Sequence, residues 1–130
     1  MKLKPLLPSL RERKRYLVYT VITTSALQMP FSHDAVTEAI TTGYKQVYGE
    51  LQLGQAGLQY FSEYYNQTQS AGIIRINHKQ LPLLQTSLCY VTMINNEKVI
   101  IASKYVSGVL GKAREIMATI KNNHDNNTEV

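Results

Sequence analysis

Between residues 15 and 24 the chain reads RYLVYTVITT, a nearly unbroken run of aromatic and β-branched types that predicts a strand. Tyr16, Val18 and Ile22 would share one face, and Leu17, Tyr19 and Val21 the other. The strand is therefore expected to be central, covered on both sides or covered on one side by a partner. Further on the period changes. Val36, Ala39, Ile40, Tyr44, Val47 and Tyr48 recur at helical spacing and predict an amphipathic helix over 33–48. Ser32 suits its N-cap, Asp34 the positive end of its dipole and Gly49 its stop. Residues 50–57 read as a loop with one helical turn.

LQYFSEYY (58–65) and AGIIRINH (71–78) read as two strands of a hairpin that turns at NQTQS. In the second, Ile74 and Ile76 alternate with Ile73, Arg75 and Asn77, so the Arg75/Asn77 side is expected to be the open face of the sheet. A short helix over 79–92 carries Leu81, Leu84, Leu88 and Val91, with Pro82 in its first turn. NNEK turns the chain into a fourth strand, VIIASKYV (99–106). Ser107 caps a last helix over 108–121, with Val109, Ala113, Ile116, Met117 and Ile120 on one side. The order is β-α-β-β-α-β plus a C-terminal helix. It predicts an α+β, ferredoxin-like and RRM-like sandwich: a four-stranded antiparallel sheet with two helices on one face. One domain is expected over 1–121, opening with a basic arm (1–15), followed by a disordered polar tail over 122–130. Such a fold assigns no function by itself.

Charge changes the picture once it is located. Residues 1–15 hold Lys2, Lys4, Arg11, Arg13, Lys14 and Arg15 against Glu12 alone, a net of +5. The rest of the chain is balanced, so the whole formal charge of +5 sits in the arm. A basic arm on a neutral body points to a polyanion, most often nucleic acid, or to a tail that only aids solubility. The 130 residues contain one cysteine, which fits a reducing compartment, and no apolar run long enough to span a membrane. The stretch MKLKPLLPSLRERK lacks the apolar segment and cleavage site of a signal peptide.

The chemistry-bearing residues exclude most enzyme classes. His33, His78 and His124 stand apart with no ligand spacing around them, and no phosphate loop or nucleophile elbow is present. Cys89 reads as a small buried side chain rather than a nucleophile. Nine tyrosines, many on predicted strands, would serve either as a base-stacking platform or as core and protein-binding surface. An RRM carries stacking aromatics in its third strand, and AGIIRINH has none, which favours packing and protein contact. Tyr60, Tyr64 and Arg75 are the candidates for that contact. The strand-to-helix turn at Ser107-Gly108 offers free N–H groups to an anion, with Lys112 and Arg114 in the next two turns, although the same pair serves as a plain cap.

Four stretches in succession resemble the ribonuclease P protein component 2 family of archaea and its eukaryotic relatives. They are LPSLRERKRYLVYTVI, the helix end YKQVYGELQLGQAGL, GIIRINHK, and KVIIASKYVSGVLGKARE. The resemblance runs through residues 5–118. Two positions depart from the family pattern: Val109 where Thr usually follows Ser-Gly, and Tyr105 where a basic residue often stands. The resemblance implies an RRM-like sandwich that is a subunit of ribonuclease P, the ribonucleoprotein that removes the 5′ leader of precursor tRNA. It implies that catalysis belongs to the RNA subunit with Mg²⁺, and that this chain binds no cofactor. It implies pairing with protein component 3 and self-association within a heterotetramer, in the cytoplasm or, in a eukaryote, the nucleus, with no membrane partner. Arg11, Arg13, Lys14 and Arg15, together with Ser107, Gly108, Lys112 and Arg114, are then the candidate RNA contacts. A ferredoxin-like protein–protein module, or a small-molecule-binding regulatory domain, is the alternative.

Overall fold

A computed structural model describes residues 13–23 and 31–128. Its elements run β1 (Lys14–Thr23), α1 (His33–Ala56), β2 (Gln59–Tyr60), β3 (Ala71–Asn77), α2 (Leu81–Leu88), β4 (Met93–Ile94), β5 (Glu97–Ser107) and α3 (Leu110–Thr128). Short 3₁₀ turns at Ser62–Tyr64 and His78–Gln80 lead out of β2 and into α2. The protein is thus α+β. Its sheet has five antiparallel strands rather than four, in the order β2-β3-β1-β5-β4. Among the described residues no helix is long and apolar enough to cross a membrane.

As expected, β1 is the middle strand and is covered on both sides. Leu17, Tyr19 and Val21 join Ile74, Ile76, Val99 and Ile101 against Val36, Ile40 and Tyr44 of α1 and Leu84 and Leu88 of α2. The opposite face was expected to be open. It carries α3 instead: Ala113 packs on Val18 and Ile73, and Tyr16, Phe61, Tyr64, Leu110, Ile116, Met117 and Ile120 close round them. Asn77 does not lie on an open face either, being only 8% exposed at the C-terminal end of α1.

Ser32 caps α1 as predicted, its Oγ accepting the Ala35 N–H at 3.2 Å. Gly49 does not end the helix. It kinks it at φ 91°, and the helix resumes to Ala56, where Gly57 at φ 64° makes the left-handed C-cap. The segment 58–65 is not a full strand, for a periodic reason. A strand would send Phe61 and Tyr64 to opposite faces. The 3₁₀ turn, with its period of three, sends both beneath α3, while Tyr60 and Tyr65 pack on the main core. The fifth strand is the two-residue β4. It pairs with β5 across Asn95 and Asn96, whose φ values of 52° and 64° suit a tight hairpin. Helix α3 runs past residue 121 to Thr128, into the polar run read from the sequence as a disordered tail.

Tyr19 and Gly72 face each other across β1 and β3, and the tyrosine lies on the glycine. A Cβ at Gly72 would stand 2.6 Å from the Tyr19 Oη and 2.9 Å from its Cζ. Tyr19 is 1% exposed and cannot swing into solvent. Gly72→Ala should therefore destabilise the fold by about 1–3 kcal/mol through overpacking, read as a lower midpoint in urea unfolding with an unchanged m-value.

Candidate nucleic-acid interface

Antiparallel pairing sets the start of β1 beside the ends of both neighbours. Lys14 pairs with Asn77 and Arg15 with Ile76 on β3, and Tyr16 pairs with Ser107 on β5. The Arg13 carbonyl accepts the His78 N–H at 2.6 Å, which holds the exposed His78 and Lys79 next to the arm. The Arg15 guanidinium donates to the Lys14 carbonyl at 2.9 Å and reaches across to Gly108, where a Cβ would sit 3.4 Å from its Nη1. Two groups of candidates far apart in the sequence, the arm and the Ser107-Gly108 turn, thus meet at one end of the sheet. Arg11 lies outside the described residues.

Among the described residues Arg13, Lys14, Arg15 and Lys79 form no ion pair. Lys14 donates instead to a neutral acceptor, the Asn77 Oδ1. Lys112 stands 3.8 Å from Glu115, both largely exposed, a contact that screens it only weakly. Ser107 Oγ accepts the Val109 N–H at 3.0 Å, so its side chain closes the turn ahead of α3. Arg114 lies over the Tyr64 ring, 4.9 Å from its centroid, on the sheet face under α3. It is directed to an aromatic cluster in which Phe61 stands 6.2 Å from Tyr16 and 5.7 Å from Tyr64.

The residues singled out for protein contact are not displayed together. Tyr60 points into the helical layer, its Oη 2.7 Å from the Thr41 Oγ1. Burial pushes its pKa up to about 12 against the opposing effect of that hydrogen bond. Arg75 is half-buried and donates to the Gln59 Oε1 at 3.0 Å. Exposed apolar side chains lie elsewhere, among them Ile22, its cross-strand partner Ile100, and Met93. Cys89 is exposed at the end of α2, correcting the expectation that it is buried. Among the described residues no group of three or more His, Cys, Asp or Glu is placed to hold a metal ion.

Sequence reasoning missed Asn77, His78 and Lys79 as part of the basic end. Their charges look scattered until the β1–β3 register is known. The signal present in the sequence was the cation Lys79 directly after a strand end.

The geometry defines a small α+β protein that gathers Arg13, Lys14, Arg15 and Lys79 at one end of its sheet. A Pyrococcus furiosus protein named ribonuclease P protein component 2 is 32% identical over 111 residues, covering 85% of this chain and 88% of its own length. One of the same name from Thermococcus gammatolerans is 31% identical over 113 residues, covering 87% and 89%. A chain in the cryo-EM structure of yeast ribonuclease MRP shares the fold, with a TM-score of 0.61 at 11% identity over 92% of this chain and 96% of that one. The Rpp14/Pop5 family model matches residues 15–118, and the chain belongs to that family.

Because Tyr60 is packed under α1 rather than displayed, Tyr60→Phe should act on stability alone. Loss of the Thr41 hydrogen bond should cost about 0.5–1.5 kcal/mol in urea unfolding, with RNA affinity in a binding titration unchanged.

Proposed function

We propose that this chain is a protein subunit of ribonuclease P that grips the catalytic RNA through the cationic end of its sheet while that RNA removes the 5′ leader from precursor tRNA. The observation that carries this reading is the convergence of Arg13, Lys14, Arg15 and Lys79 at one sheet end in a member of the Rpp14/Pop5 family. Phosphate oxygens are the natural complement of such a surface. Arginine forks onto them in pairs of hydrogen bonds, and lysine offers a point charge. Ser107 and Gly108 would line the same surface, with Arg11 in the arm before it and Lys112 and Arg114 on α3 beyond it.

The finer reading of the fold belongs with this function. With the two-residue β4 set aside, we read the order β2-β3-β1-β5 as ferredoxin-like. We assign hydrolysis and its Mg²⁺ to the RNA subunit, as the family resemblance implies. The exposed Ile22, Ile100 and Met93 are suited to cover by protein, and protein component 3 and a second copy of the chain within a heterotetramer are the partners we assign. The assembly would work in the cytoplasm, or in the nucleus of a eukaryote.

The isolated chain should leave precursor tRNA uncut, and should raise cleavage by the RNA subunit when added with its protein partner. Sustained turnover by RNA-free protein would contradict this. Phosphate contact is tested by a quadruple variant, Arg11→Ala, Arg13→Ala, Lys14→Ala and Arg15→Ala. If all four cations engage, the slope of log affinity against log salt should flatten by about 3–4 units, at roughly 0.7–0.9 per contact. An unchanged slope in a variant that keeps its circular dichroism would return the arm to a solubility role.

A further inference from the structure

Asn77 is a buried polar residue at the edge of a charged surface, and both ends of its amide are occupied. Its Nδ2 donates to the Gln55 carbonyl at the C-terminal end of α1, at 2.8 Å. That bond fixes the orientation of the amide, so the Oδ1 must face the other way, where it accepts from the Lys14 ammonium. The site is made for this side chain. Continuing the β2–β3 register sets Gly57 opposite Asn77, and a Cβ on Gly57 would stand 3.0–3.2 Å from three atoms of the amide. Gly57 thus serves two ends: it takes the left-handed φ of 64° that ends α1, and it leaves the space in which Asn77 lies.

The chemistry of the acceptor matters. An ammonium has three donors, and the asparagine uses one of them. Two remain for a phosphate. A carboxylate at position 77 would cancel the charge of Lys14 and set an oxygen against the Gln55 carbonyl; the amide satisfies both neighbours and leaves the charge whole. An unrestrained lysine loses rotamer freedom when it grips a ligand. Lys14 has already lost it on folding, which is the condition for a preorganised contact.

Resting on the RNA-binding reading above, we propose that Asn77 is a positioning residue that tethers Lys14 to the helical layer so that its ammonium meets an RNA phosphate in a fixed place. The effect passes through Lys14 and needs no contact between Asn77 and RNA.

The test is a double-mutant cycle on the full chain, titrated with an in vitro transcript of the ribonuclease P RNA of the same genome over a salt series. Lys14→Ala should lower the salt slope by roughly 0.7–0.9, the value of one contact. Asn77→Ala should weaken binding when Lys14 is present and have no effect in the Lys14→Ala background. Equal weakening in both backgrounds would overturn the proposal and reduce Asn77 to a general structural part, and so would no weakening in either. If Asn77→Ala loses its circular dichroism signal, Asn77→Ser takes its place in the same cycle, with weakening expected only when Lys14 is present and equal weakening in both backgrounds, or none, overturning the proposal. A quadruple arm variant that flattens the slope while Asn77→Ala is silent rejects the role of Asn77 alone. Unchanged slopes in both the quadruple and the Lys14→Ala variants reject the RNA reading and this proposal with it.

Discussion

The pairing of β1 with β3 on one side and β5 on the other is the constraint on which the rest depends. Ten residues satisfy two ladders of backbone hydrogen bonds and bury side chains on both faces. One face of β1 seeds the core beneath α1 and α2, and the other face, through Val18, seats α3. Because both pairings are antiparallel, the entry of β1 meets the exits of β3 and β5. The placement of the cations follows from that topology. Any charge at the start of β1 must stand beside Asn77–Lys79 and Ser107–Gly108.

Helix α3 decides what kind of nucleic-acid contact the sheet can make. A stacking platform needs aromatic rings open on the sheet face. Here Tyr16, Phe61 and Tyr64 are gathered under α3, and Arg114 covers the Tyr64 ring. Those rings are occupied in packing. What the sheet leaves to a polyanion is its end, where cations and backbone N–H groups are available. Such a surface would read charge and backbone shape, with an affinity governed by salt.

The elements with a strong period were legible in the sequence. Val36, Ile40 and Tyr44 gave α1, and the run around Leu17–Val21 gave a two-sided central strand. Short features were not. A two-residue strand such as β4 has no period, and only the paired Asn95-Asn96 marked its turn. Gly49 looked like a stop because glycine usually ends helices, yet tertiary packing carried α1 through a kink to Gly57. The segment 58–65 alternates like a strand in composition, but Phe61 and Tyr64 both had to reach α3, and packing overrode propensity. In the site, the arm's charges could be counted, but which residues they would meet depended on register. Arg75 was expected on an open face that α3 in fact covers, while Tyr60 lies on the other face, under α1.

The same register explains why a neutral residue belongs in a charged surface. Cations crowded at one strand end repel each other, and an exposed lysine among them would otherwise turn away into water. Carboxylate partners would relieve that repulsion while cancelling the field that attracts a polyanion. Amide and carbonyl acceptors relieve it without that loss. Lys14 is held by Asn77, and Arg15 by the Lys14 carbonyl. Both tethers arise from residues already committed to the fold: a strand end that must meet the C-cap of α1, and a backbone group with a free lone pair. The positive surface is therefore fixed in shape by the core beneath it, through acceptors that carry no charge of their own.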